Sequence, residues 1–186
     1  MVTIVSLWLP ILLATVLLFI ASFVLWALLP YHTKEWRALP DEERLTAAMR
    51  DAGLQPGQYS MPFEPDQKKL ADPAVQEKFT RGPVGFLYVR PSGLPAMGRP
   101  IVQQIFLILA VMITVAYLLT RTLDAGADYL QVFRVAGTIT WVAFSVGHVQ
   151  SAVWFAHSWS DAFKNVGDSL VYAVLAGGAF GAFWPN

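Results

Sequence analysis

The chain contains no cysteine in 186 residues. Disulfides, thiolate metal sites, iron–sulfur clusters and thiol catalysis are therefore excluded. It also lacks net charge, with 13 Lys+Arg against 13 Asp+Glu. Without a basic excess or an Arg-rich stripe, nucleic acid is not an expected partner. Chemical signatures are missing too. There is no phosphate-cradling glycine loop, no Gly-x-Ser-x-Gly elbow and no zinc-protease spacing, so the chain is not expected to be an enzyme. The first nine residues hold no Lys or Arg. A cleaved signal peptide needs a positive start, so the first apolar run is expected to be a permanent membrane helix.

What the chain has in quantity is apolar sequence, 55% of all residues. It is gathered in four runs, roughly 2–29, 100–120, 131–156 and 166–184. Each reaches about the 20 residues that carry a helix across a hydrocarbon core of about 30 Å. Between the first two runs lies a polar stretch, 30–99, with 10 of the 13 Lys+Arg and 9 of the 13 Asp+Glu. The expected fold is all-α and transmembrane: a four-helix membrane bundle with a small α+β cytoplasmic insertion between helices 1 and 2. The domain limits are 1–29, 30–99 and 100–186. Trp8, Trp26, Trp154, Trp159 and Trp184 stand near run ends, where aromatic rings settle at headgroup depth.

Orientation follows from the basic residues near the helix ends, which favour the cytoplasmic side. Lys34, Arg37, Arg44, Arg81, Arg90 and Arg99 flank the insertion, and Lys164 lies on the same side. Arg121 and Arg134 are all that the opposite side offers. Residues 30–99 are thus expected in the cytoplasm of a bacterial inner membrane, with both termini on the other side.

Within the insertion, Leu39-Pro40-Asp41-Glu42-Glu43 reads as a helix start, with acids at the positive end of the dipole. Gly53 closes that helix. Asp72-Pro73 opens a second, which runs to about Thr80 and stops at Gly82-Pro83. An extended piece follows Gln55-Pro56-Gly57, and Val84–Arg90 reads as a strand. About 60 residues bury little core alone, so the unit is expected to lean on the membrane, its own helices or a partner.

The third run is the most polar. Thr138, Trp141, Ser145 and His148 recur at three or four residues and form one stripe, which in lipid must face protein. In the fourth run, Ala173, Gly177 and Gly181 stand four apart as a seam for close helix approach. His148 is the candidate cofactor residue. An imidazole among Trp141, Phe144, Trp154 and Phe155 can ligate a haem or chlorophyll-type pigment, or serve a proton path. The plainer reading, a neutral histidine hydrogen-bonded between helices, is preferred, with no cofactor. His32 and His157 fall at one membrane surface, where polar anchoring is preferred over a shared metal. Lys164 and Asp168, four apart, are expected to form an ion pair that eases the cost of an acid near the hydrocarbon edge. Arg134 is expected to pair with Asp124 or Asp128, or to reach lipid phosphates.

Two stretches carry a resemblance. They are Leu39-Pro40-Asp41-Glu42 with Pro56-Gly57-Gln58-Tyr59, and Trp159-Ser160 with Lys164, Asp168, Tyr172, Gly177, Gly181 and Trp184-Pro185. Together they resemble a group of uncharacterised bacterial polytopic integral membrane proteins of similar length and layout. The resemblance implies a bacterial cytoplasmic membrane and no particular chemistry.

The expected role is a non-catalytic accessory or scaffolding subunit that packs against other integral membrane proteins, or against itself, in the bilayer. Two alternatives stay open: a cofactor-binding electron- or energy-transfer subunit using His148, and a small oligomeric transporter or channel. Protease applied to sealed cells should leave residues 30–99 intact and cut them once the membrane is permeabilised. Cutting in sealed cells overturns the orientation.

Overall fold

The computed structural model describes residues 2–185 and is mostly helical, about 70%, with one small two-stranded sheet. Two compact units make up the chain: one runs up to Glu35 and resumes at Ala96, and the other is Trp36–Pro95. The polar stretch expected as a single piece over 30–99 is therefore divided. Its first six residues belong with the long helices, for reasons that lie in their side chains.

The first unit contains α1 (Trp8–Phe23), α4 (Gly98–Thr122), α5 (Tyr129–Trp154) and α6 (Trp159–Ala182). A single 3-10 turn precedes α1, and a π turn, Val24–Leu28, continues it. Pro10 sits in the first turn of α1, where its missing N–H costs no intrahelical bond. Three helical stretches are long and apolar enough to cross a membrane: Val5–Leu28, Gly98–Thr122 and Tyr129–Trp154. α6 is as long but less apolar, because Asp161, Lys164, Asn165 and Asp168 occupy its first three turns. It begins at Trp159, seven residues before the apolar run that announces it, so these polar groups are helical rather than part of a loop.

A dry core joins all four helices. Leu7, Ile11 and Leu18 from the first meet Ile108, Met112, Val115 and Leu119 from α4, with Val132 from α5 and Ala176 and Phe180 from α6. Residues that look outward from this core are large and apolar, as a lipid-facing surface requires. α5 and α6 pack most closely. A Cβ on Gly177 would stand 2.8 Å from the Phe133 carbonyl oxygen, and one on Gly181 would stand 2.8 Å from the Tyr129 ring. Gly137 answers from α5, with the Ala173 carbonyl 3.2 Å from its would-be Cβ. The seam Ala173, Gly177, Gly181 therefore receives α5 of the same chain. At the far end, the Trp184 indole donates to the Asp124 carbonyl (3.0 Å), and the Gly126 amide to the Pro185 carbonyl (3.0 Å). Trp184, expected at the lipid interface, is buried in this contact.

The second unit contains α2 (Glu42–Asp51), β1 (Gly57–Met61), α3 (Pro73–Arg81) and β2 (Gly85–Val89), plus a short 3-10 turn, Gln67–Ala71. Asp41 caps α2 through the Arg44 amide (3.1 Å), and Asp72 caps α3 through the Ala74 amide (2.9 Å) with Pro73 at the first position. Both helices end at glycines with left-handed φ, Gly53 and Gly82. β1 and β2 pair antiparallel, Gly57 opposite Val89 and Met61 opposite Gly85. No residue of 36–95 is fully buried, as its small size leads one to expect.

Replacing Gly177 with Leu should destabilise the protein by about 1–3 kcal/mol, the usual cost of forcing atoms into a filled interior. Gly147, whose added Cβ meets nothing within 4 Å, is the control. Its change to Ala should be neutral or stabilising by up to about 1 kcal/mol. Unfolding in mixed micelles reads both, and equal responses would count against the packed seam.

Candidate functional site

At the end of the first unit where α1 finishes and α6 starts, the turn Pro30–Glu35 folds back over the helices. Three features shape it: Pro30 fixes the first φ, the Thr33 hydroxyl donates to the Pro30 carbonyl (2.6 Å), and ring packing holds His32 inside. The His32 imidazole lies flat on Trp26, ring centroids 4.0 Å apart and planes 5° off parallel. The Tyr31 ring closes its other flank at 4.1 Å. As a result His32, a residue usually found half-exposed, is only 4% exposed.

Each imidazole nitrogen faces a carboxylate. Nδ1 contacts Glu35 in the same turn, and Nε2 lies 2.9 Å from Asp168 of α6. The second Asp168 oxygen accepts a hydrogen bond from the Tyr31 hydroxyl. The Lys164 ammonium donates to the Tyr31 carbonyl (3.0 Å), lies 3.5 Å from the same Glu35 oxygen, and lies 3.7 Å from Asp161. Partial burial, the bond to Asp168 and the charge of that group push the Tyr31 phenol well above its ordinary range. It therefore stays a donor at any ordinary pH.

This arrangement corrects the expected i, i+4 pair of Lys164 and Asp168. Both oxygens of Asp168 are taken by Tyr31 and His32, and Lys164, one turn nearer the helix start, reaches across to the turn instead. His32 is not an interfacial anchor but the centre of the cluster, and nothing joins it to His157, which lies exposed after α5. The sequence carried a signal for this in the spacing of His32 and Glu35, which places both on one side of a 3-10 turn. Arg134 makes no ion pair among the described residues, while Asp128 caps α5 through the Gln131 amide (3.0 Å).

Asp168 also faces a cavity of about 620 Å³ between α1, α4, α5 and α6. Phe19, Phe23, Trp26, Leu107 and Phe144 form much of its wall. The polar groups on it are few: Gln104, His148, Asn165, Asp168, Tyr172 and two serines. His148 is exposed to this space and, like Gln104, makes no side-chain hydrogen bond among the described residues. Tyr172 is more telling. Its side chain is only 9% exposed and its ring packs edge-on to Phe144 at 5.4 Å, yet its hydroxyl has no partner. No fully enclosed side-chain polar atom among the described residues lacks a partner, so this hydroxyl opens onto the cavity.

The rest of the expected stripe lies apart. Thr138 and Trp141 border a smaller hollow of about 290 Å³ with Arg134 and Ala173, and the Trp141 indole donates to the Val166 carbonyl (3.3 Å). Ser145 is buried. Both nitrogens of His32 are engaged, so no second free imidazole joins His148 at the cavity. No group of three or more His, Asp or Glu among the described residues is set to hold a metal ion. No family model, curated protein or solved structure matches the chain.

Removing the buried bridge with His32→Ala should cost about 3–5 kcal/mol, since two carboxylates are left facing each other without it. Lys164→Ala, at a site 26% exposed, should cost about 1 kcal/mol or less. Thermal unfolding in detergent ranks the two, and a larger loss from Lys164 would show that His32 does not hold the turn.

Proposed function

We propose that this is a non-catalytic integral membrane protein that crosses the bilayer four times and holds an amphipathic small molecule between its helices. Residues 30–99 then lie on the cytoplasmic side, following the basic residues that flank them, with both termini opposite. The observation that carries the binding reading is the Tyr172 hydroxyl: on a side chain only 9% exposed, it has no protein partner and opens onto a mostly apolar cavity. A hydroxyl facing apolar walls without a partner leaves unmade a hydrogen bond, usually worth about 0.5–1.5 kcal/mol net, that a ligand's acceptor or donor would supply. A volume of about 620 Å³ falls in the range of small-molecule sites, with apolar walls for the body and a few polar groups to orient one end.

The α6 seam, which had suggested docking on a neighbouring membrane protein, is filled by α5. That shifts weight from a scaffolding role to the cavity.

An apolar aryl diazirine, photolysed with the protein in lipid nanodiscs, tests the reading. Label should concentrate on Phe19, Phe23 and Leu107, and Ala27→Trp, which fills the same space, should cut it at least fivefold. Labelling spread evenly over all lipid-facing residues would sink it.

A further inference from the structure

The cluster beside the cavity sets a proton count. A neutral imidazole donates through one nitrogen and accepts through the other. Here both nitrogens of His32 face carboxylate oxygens, which only accept. The two contacts need two protons, so His32, Glu35 and Asp168 together carry one more than a neutral histidine and two carboxylates supply. The trio then has a net charge of −1, which Lys164 offsets, while Asp161 beyond Lys164 adds one further negative charge.

The groups around His32 come from every side. Tyr31 and Glu35 share its turn. Asp168, Lys164 and, behind Lys164, Asp161 come from α6. Trp26 of the π turn after α1 offers a ring without charge. His148 of α5 and Tyr172, one turn along α6 from Asp168, also line the cavity, while α4 brings no charged side chain to the lining. Asp168 is the one formal charge on the cavity wall, and it is an anion. The same cavity wall carries five aromatic rings, Phe19, Phe23, Trp26, Phe144 and Tyr172. A carboxylate within aromatic walls is a setting for an organic cation, whose charge is held by both the anion and the ring faces.

We infer that the ligand is a cationic amphiphile and that its binding at Asp168 expels one proton from His32. The inference rests on the cavity reading above. An added positive charge at a membrane edge is costly unless something leaves. The N–H bond at Nδ1 breaks, its electron pair stays on the ring, and the proton passes by Glu35, 9% exposed, to water. Glu35 then pairs with Lys164 and Asp168 with the ligand, separated by a neutral imidazole that still donates from Nε2. The net charge of the cluster is the same before and after, so the site exchanges an organic cation for a proton.

Calorimetry on the full chain in neutral-lipid nanodiscs tests the exchange, with tetraphenylphosphonium as the cation and triphenylphosphine oxide as its uncharged counterpart. Titrations in buffers of different ionisation heat should show about one proton released per cation. Cation affinity should rise up to tenfold per pH unit, levelling off once the proton is already lost, since release of a proton is favoured at higher pH. Oxide affinity should not move with pH. His32→Gln keeps a donor for Asp168 but has no proton to lose, so its cation affinity should be flat in pH. Asp168→Asn should lower the cation-to-oxide preference at least tenfold, with circular dichroism confirming that the helices persist. Equal binding of cation and oxide, or a flat wild-type pH profile, overturns the exchange and leaves the cavity reading standing. Binding of neither compound, with helices intact, overturns both.

Discussion

One imidazole joins two anions at the end of the helical unit, and much of the local architecture depends on it. Held between Glu35 and Asp168, His32 ties the turn after the first helix to the start of α6, elements 136 positions apart in sequence. Without that bridge, Asp168 would be a buried carboxylate with one phenol for company, an expensive placement. With it, the acid stays where it can shape the adjoining cavity. The same contacts explain why the chain does not enter its polar unit at Pro30. The six residues after the apolar helix are held inward by rings and charges, and the second unit starts at Trp36.

Local rules made several elements readable in the sequence. Asp41 and Asp72 each cap the helix that the sequence announces, and Val84–Arg90 contains the strand Gly85–Val89. Three of the apolar runs coincide with helices able to span a membrane. What escaped was long-range. Spacing along a helix can nominate Lys164 as the partner of Asp168, but it cannot see that a turn distant in sequence supplies a tyrosine and a histidine for the same carboxylate. Nor can apolar content place the start of α6, since its first turns are polar for the sake of that cluster. The stripe on α5 was legible as a pattern, yet its members part company: His148 reaches the cavity and Thr138 borders a separate hollow.

The cavity and the cluster make one chemical unit. Its walls suit a greasy body, while polar atoms gather where Asp168, Asn165 and Tyr172 line one stretch of α6. Spacing of three, four and seven residues puts them on a single face of that helix. A ligand lying along this face would present its polar end to the carboxylate and its remainder to α1 and α4. In the proposed exchange, conservation of charge rather than any single strong contact would govern occupancy.

Backbone proximity between α5 and α6 has a mechanical consequence. Where glycine hydrogens replace side chains, the two helices touch main chain to main chain near Phe133 and Tyr129, and they have little freedom to slide or part. They form the stiff half of the unit. α1 and α4 meet the others through longer, rotatable side chains such as Leu18, Met112 and Leu119. If the cavity takes guests of differing girth, as proposed, the room would have to come from α1 and α4, whose side chains can repack, rather than from the α5–α6 post.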